Sequence, residues 1–225
     1  MSLFNDKLKK ITLKELLSLI IVLFVIQYLL DTLNIVHIDI LWIYILIIFY
    51  FIFKLRIEIL TIREDISDIF EWNLISTVLF VVILNIFLSY GMLYLSNYIL
   101  DIVPSFDSIF NSVLTTSFVA TVFIAPISEE LIFRGVFLNR LKLIVPTLFA
   151  VLVSSLMFAS LHSYGSIFSA FVFGLSVSIL YLKTDNIFVP ILCHFLNNLF
   201  AEAIVIFDSN KILFTNNFVF SIMSI

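Results

Sequence analysis

Charged side chains are scarce in this sequence: they make up 12% of its 225 residues, whereas 62% are hydrophobic. Soluble domains carry about 25% charged residues, so the composition excludes an ordinary cytosolic fold. It predicts instead an all-α fold, a polytopic bundle of transmembrane helices. We expect a lipid bilayer around the protein and no nucleic acid among its partners.

Cysteine is nearly absent, since Cys193 is the only one. This excludes a disulfide framework and a cysteine-rich metal site. The first apolar run lacks a small-residue cleavage site, so we expect it to be retained as a helix and not removed as a signal peptide. Internal repeats and low-complexity linkers are also missing, which predicts one membrane domain over residues 1–225.

Long apolar runs are what the sequence has in abundance. A helix needs about 20 apolar residues to cross a bilayer, and the runs predict about seven spans, near residues 16–36, 40–53, 74–100, 112–141, 146–162, 166–182 and 187–207. Residues 54–73 are charged, with apolar residues at helical spacing, and predict an amphipathic helix packed beside the bundle. Residues 212–225 are too short to be assigned as a span.

The basic residues predict the orientation of the bundle in a cell membrane. With the N-terminus in the cytoplasm, eleven of the twelve lysine and arginine residues fall on cytoplasmic segments or helix ends, and only Lys211 falls outside. Such a bias is typical of multi-pass proteins. Small residues recur every fourth position in the sixth span, at Ser166, Ala170, Gly174 and Ser178, and in the fifth at Ser155 and Ala159. Each stripe predicts that another helix can approach closely.

Three charged residues interrupt the fourth span: Glu129, Glu130 and Arg134. Each charge near the centre of a bilayer costs about 2.5–3.5 kcal/mol on insertion scales. Glu130 and Arg134 are four residues apart and share a helix face, so they can neutralise each other. Glu129 is rotated about 100° away and has no cation at helical spacing. One carboxylate is therefore explained as structural, and the other is a functional candidate.

Two more residue pairs, each containing a histidine, repeat the four-residue spacing in later spans. Phe158 and His162 share a face at the end of the fifth span, and His194 and Asn198 share one in the seventh. Glu202 extends the second pair by one turn, where we expect it near the outer rim. Ionisable groups inside a membrane mark functional sites by default.

The three motifs, Glu-Glu-xxx-Arg, Phe-xxx-His and His-xxx-Asn, resemble in this order those of the CPBP intramembrane protease family. That family includes CAAX prenyl endopeptidases of the Ras-converting type and bacterial Abi proteins, some of which are linked to bacteriocin immunity. The resemblance covers about residues 112–207, the predicted catalytic core. It implies an endopeptidase that cleaves a membrane-associated peptide or protein.

The resemblance also implies a role for each motif residue. Glu129 would be the catalytic carboxylate, and His162 would help it to activate water. His194 and Asn198 would steady the oxyanion. Three residues would support the site: Glu130, the Arg134 that holds it, and Phe158. Peptide hydrolysis without a nucleophilic side chain needs such a base and such donors.

Several alternatives stay open at this point. Glu129, His162 and His194 form a common catalytic zinc set, but the HExxH arrangement of zinc proteases is missing, and we favour a mechanism without a cofactor. A non-catalytic membrane protein could bind a peptide in the same cavity, as a bacteriocin-immunity factor would. A transporter is disfavoured because its two inverted halves would both carry motifs.

Overall fold

A computed structural model describes residues 3–33, 40–55, 66–67, 69, 72–99, 118–162 and 167–204. Over these residues the regular structure is helical throughout, which confirms the all-α prediction. We number the main helices in chain order as α1 Leu3–Leu8, α2 Leu13–Thr32, α3 Ile40–Leu55, α4 Trp72–Ile99, α5 over residues 118–141, α6 Thr147–Ala159, α7 Ile167–Thr184 and α8 Phe188–Ile204.

Helix α5 lies between two apolar clusters and thereby organises the molecule. Leu131, Val136 and Leu138 belong to a cluster shared with α1, α2 and α3. Phe133 points to the other cluster, which is shared with α4, α6, α7 and α8. The motif residues of α5 are therefore enclosed by helices from both halves of the chain.

Small residues on α6 and α7 allow a close approach, as predicted, and the structure shows that these two helices contact each other. Ala159, Ala170 and Ser178 are all buried. A Cβ added to Gly174 would lie 3.1 Å from the Cβ and 3.2 Å from the Cα of Ser155. Such distances are tighter than most Cβ contacts, so a larger residue at 174 would require Ser155 to move by a few tenths of an ångström.

Charged contacts join helix ends that are far apart in sequence. Lys9 Nζ lies 2.7 Å from Oδ1 of Asp185, the residue that follows α7. The Arg140 guanidinium, at the end of α5, donates to the backbone carbonyls of Ile11 and Lys9 at 2.6 Å each. The N-terminal segment, the end of α5 and the α7–α8 turn therefore meet at one end of the bundle.

Charged contacts also join the start of α2 to the end of α3. Thr12 caps α2 by accepting from the Glu15 N–H at 3.2 Å, and Glu15 Oε2 accepts from the Thr12 N–H at 2.9 Å. This reciprocal capping box fixes the start of the helix. The other oxygen, Glu15 Oε1, accepts from Lys54 Nζ at 2.7 Å, which ties the start of α2 to the end of α3.

Helix bounds agree with the predicted segments to within a few residues, but the number of spans is not confirmed. By length and composition, two described helices could cross a membrane, namely Leu13–Thr32 and Ile167–Thr184. The other apolar helices are shorter or less uniform, including Thr147–Ala159 and Phe188–Ile204. Most of the predicted amphipathic helix at 54–73, residues 100–117 and residues 205–225 lie outside the described residues.

One boundary differs where it matters for the site. The sequence predicted a fifth helix that reaches His162, whereas α6 ends at Ala159. Ser160 caps it in helical backbone geometry, and the His162 N–H then donates to the Ala159 carbonyl at 3.0 Å. The chain closes with a tight turn, so His162 sits on the turn and not on the helix itself.

Candidate active site

The sequence predicted a regular helix for the segment that carries the two glutamates, and this prediction was wrong. Two π-helical segments, Ala120–Ile124 and Leu131–Leu138, flank the α-helical stretch Ala125–Glu130. Pro126 explains the first of them, because a proline inside a helix cannot donate to the preceding turn and crowds its carbonyl. Widened turns of this kind are rare and often occur at functional sites.

Side chains from neighbouring positions bind carbonyls of the widened turns. The Asn139 amide donates to the carbonyls of Gly135 at 2.9 Å and Arg134 at 3.2 Å, and Ser154 Oγ donates to the Phe133 carbonyl at 3.2 Å. Buried carbonyls without partners would destabilise the helix, so these side chains hold the irregular geometry in place.

Glu130 and Arg134 form the buried ion pair that their spacing predicted. Arg134 Nη1 lies 2.9 Å from Glu130 Oε1, and both side chains are 0% exposed. Arg134 Nη2 also donates to the Gly174 carbonyl at 3.1 Å, and the guanidinium lies 4.6 Å from the centre of the Phe158 ring. Groups on two further helices, α6 and α7, therefore hold the guanidinium that neutralises Glu130.

His194 bridges the two carboxylates. Its Nδ1 lies 2.8 Å from Glu130 Oε1, and its Nε2 lies 3.9 Å from Glu129 Oε2. A carboxylate can only accept, so Nδ1 carries the hydrogen and donates to Glu130. The ring edge packs against Phe173, with ring centres 5.1 Å apart, which fixes its orientation.

Glu129 has a more open surrounding than Glu130. Its side chain is 13% exposed, and Glu129 Oε1 accepts from the Tyr44 hydroxyl at 2.7 Å. Within the described part of the chain, no lysine or arginine pairs with it. The spare carboxylate expected from the sequence is thus found facing one phenol and one imidazole.

Phe158 and His162 contact each other as their spacing suggested. The two rings are 4.7 Å apart between centres, and His162 Nδ1 lies 3.0 Å from the Phe158 carbonyl. Phe158 also packs against His194 at 5.6 Å. The ring of Phe158 therefore contacts the arginine and both histidines.

Asn198 is anchored to the first widened turn of α5. Its amide donates to the Thr121 carbonyl at 2.9 Å, and its Oδ1 accepts from Asn197 at 3.3 Å. Asn197 Oδ1 in turn accepts from Asn85 of α4 at 2.7 Å. A chain of amides thus connects α4, α8 and the first widened turn of α5.

No arrangement of three or more His, Cys, Asp or Glu side chains suited to hold a metal ion occurs among the described residues. His194 directs Nδ1 at Glu130, and no hydrogen bond or ion pair links His162 to Glu129. Independence from zinc remains a prediction.

Sequence reasoning missed two contributors to the site, Tyr44 and the Asn85–Asn197 pair. Tyr44 contacts Glu129 across 85 positions, and Asn85 contacts Asn197 across 112. No local spacing reports such contacts. A signal was available only for the irregular helix, namely a proline in the middle of an apolar span.

Residues 111–200 match the family model described as Type II CAAX prenyl endopeptidase Rce1-like. This match confirms the resemblance predicted from the three motifs, and it suggests a CAAX-type intramembrane protease. It includes the described residues of α5, α6 and α7 and most of α8, and it leaves α1 to α4 outside. Searches of curated proteins and of solved structures gave no match.

Proposed function

We propose that this protein is an intramembrane endopeptidase that hydrolyses a peptide bond of a membrane-associated substrate, with Glu129 as the base. The observation that carries the proposal is the unequal treatment of two neighbouring carboxylates. Glu130 is neutralised by Arg134 at 2.9 Å, whereas Glu129 pairs with no described lysine or arginine and faces His194 Nε2 at 3.9 Å. A carboxylate in this state can accept a proton from water.

The reaction begins with a water molecule positioned between Glu129 and His162. His162 Nδ1 lies beside the Phe158 carbonyl, which can only accept, so Nδ1 is the protonated nitrogen and Nε2 can accept a hydrogen bond. Glu129 takes one proton as the water oxygen attacks the peptide carbonyl carbon. The carbonyl electron pair moves to oxygen and forms the tetrahedral oxyanion.

Two donors bind this oxyanion, from one face of α8. Asn198 uses one N–H for Thr121 at 2.9 Å and has a second N–H to donate. His194 already donates Nδ1–H to Glu130, so it must be doubly protonated to donate from Nε2.

Collapse of the tetrahedral intermediate completes the reaction. The C–N bond breaks, and the electron pair stays on nitrogen. Glu129 returns its proton to the departing amine and is again ionised for the next water. Each proton taken is thus given back, and the steps need neither an oxidant nor a further reactant.

We place the protein in a cell membrane, as about seven spans with a cytoplasmic N-terminus. Large apolar residues exposed on three helices support this placement, among them Tyr28 at 68%, Phe53 at 86% and Phe87 at 73%. The helix ends that meet through Lys9, Lys54 and Arg140 are those predicted to be cytoplasmic. An impermeant thiol reagent should react in intact cells with a cysteine at 107 but not at 183, once Cys193 is replaced; the reverse pattern would overturn the orientation.

The function is tested with purified protein and a panel of peptides. The panel contains farnesylated peptides ending in a CAAX-type sequence, the same peptides without the lipid, and apolar membrane peptides. We expect wild type to cleave at least one of them, Glu129→Ala to cleave none, and Glu202→Ala, a matched carboxylate on α8, to behave as wild type. Absence of cleavage by wild type would favour the non-catalytic peptide-binding or bacteriocin-immunity alternative.

A further inference from the structure

The hydrogen bond between Tyr44 and Glu129 joins the candidate base to a helix outside the family match. The Tyr44 hydroxyl donates to Glu129 Oε1 at 2.7 Å, and Tyr44 lies on α3, whereas the match covers residues 111–200. A hydroxyl bonded to a carboxylate is a charge-assisted contact, about twice as strong as one between neutral groups.

A second contact fixes the position of Tyr44 itself. Ser128 Oγ, which is fully buried, lies 3.1 Å from the Tyr44 backbone carbonyl and 3.1 Å from the Ile124 carbonyl, and it shares its one donor hydrogen between them. The neighbours Ser128 and Glu129 therefore bind the backbone and the side chain of the same tyrosine. Because both ends of Tyr44 are held, its hydroxyl has a defined place relative to α5.

This contact divides the two oxygens of Glu129 between two tasks. Oε1 accepts from Tyr44, and Oε2 is the oxygen that lies 3.9 Å from His194 Nε2. A carboxylate that could rotate freely would present either oxygen in many directions. Misplacing a catalytic group by 1 Å relative to the reacting atoms can cost about 10²-fold in rate.

We propose that Tyr44 is a positioning residue for Glu129: by binding Oε1 it assigns Oε2 as the oxygen that takes the proton from water. The proposal rests on the proposed function of Glu129. It adds that the active site is incomplete without α3. The competing explanation is that Tyr44 uses Glu129 only to satisfy its own buried hydroxyl, which would make the contact structural.

The substitution Tyr44→Phe separates these explanations, because it deletes the hydroxyl and keeps the ring. Tyr50→Phe is the matched control, on the same helix, where the ring packs against Phe51 with centres 5.6 Å apart. With a peptide that wild type cleaves, we expect Tyr44→Phe to lower kcat about 10- to 100-fold. KM should change less than about threefold, since substrate contacts are untouched, and Tyr50→Phe should match wild type in both.

A second measurement needs no substrate. Infrared difference spectra of wild type minus Glu129→Gln isolate the carboxylate stretching band of Glu129. We expect Tyr44→Phe to shift this band and Tyr50→Phe to leave it in place. If wild type cleaves no peptide, the proposed function fails, and the band alone then decides whether Tyr44 holds the carboxylate.

The outcomes divide as follows. A lower kcat with an unchanged KM and a shifted band supports the positioning role. A wild-type kcat in Tyr44→Phe overturns it, even if the protein melts at a lower temperature, because that pattern is the structural one. An unshifted band also overturns it, because Glu129 would then not receive the hydrogen bond.

Discussion

Two neighbouring residues of one helix, Glu129 and Glu130, lie in regions with opposite properties. The Glu130 region is closed: Arg134, His194 and the Gly174 carbonyl are linked through contacts of 2.8 to 3.1 Å. The Glu129 region is open, with a 13% exposed side chain and one hydrogen bond, from Tyr44. The same chemical group is thus held as part of the scaffold at one position and kept available at the next.

The difference arises from the helices that surround α5. Adjacent helical residues point about 100° apart, so Glu130 faces α7 and α8 while Glu129 faces α3 and the ring of His194. His194 lies next to both carboxylates, with Nδ1 2.8 Å from Glu130 Oε1 and Nε2 3.9 Å from Glu129 Oε2.

The largest effect is expected from breaking the closed region. Arg134→Ala would leave Glu130 buried without its cation, and loss of one partner of a buried pair costs about 3–5 kcal/mol. We expect a lower folded yield and a lower melting temperature in detergent. The double variant Glu130→Gln/Arg134→Met removes both charges and should recover much of the stability. Wild-type melting of Arg134→Ala would show that the region is not closed.

The next effect sharpens the open region. Loss of one oxyanion donor typically costs about 10²–10³-fold in rate, and we expect this for kcat in Asn198→Ala, with KM nearly unchanged. Asn197→Ala is the matched control, since this amide contacts Asn198 and Asn85 and should reduce kcat less than about tenfold. Equal losses in the two variants would assign Asn198 to the scaffold.

A smaller effect is expected where two helices support the closed region. A methyl group at Gly174 would come within 3.2 Å of the Ser155 backbone and 3.4 Å of Arg134 Nη2, so Gly174→Ala should cost about 1–3 kcal/mol of stability. In Gly91→Ala the methyl group meets nothing within 4 Å, and thermal unfolding should show no loss. Equal melting of the two variants would contradict the close α6–α7 contact.

The smallest effect concerns metal removal in the open region. If Glu129 activates water by itself, strong chelators should change the cleavage rate less than about twofold, since no Lewis acid is removed. Elemental analysis should find much less than one zinc ion per chain. The opposite result would be one zinc ion per chain whose removal abolishes activity and whose addition restores it. That result would make Glu129, His162 and His194 a metal site.

Local spacing was sufficient to predict the Glu130–Arg134 pair, but not the contacts of this pair with His194 and the Gly174 carbonyl or the open region. Glu130 and Arg134 are one helical turn apart, so their pairing follows from helix geometry alone. The bond from Tyr44 to Glu129 depends on how α3 packs against α5, which no periodicity encodes. The widened turns of α5 were also missed, although Pro126 was a signal for the first. His162 was correctly predicted to contact Phe158, but it was predicted at the end of a helix and lies on the turn that follows α6.

The most direct test of this division compares Glu129→Gln with Glu130→Gln, two neutral variants of nearly the same shape. Turnover of the peptide cleaved by wild type and thermal unfolding are measured for both. We expect Glu129→Gln to fold and melt like wild type with no detectable turnover, and Glu130→Gln to melt at a clearly lower temperature because Arg134 loses its partner. Near wild-type turnover in Glu129→Gln, or equal melting of the two variants, would contradict the account.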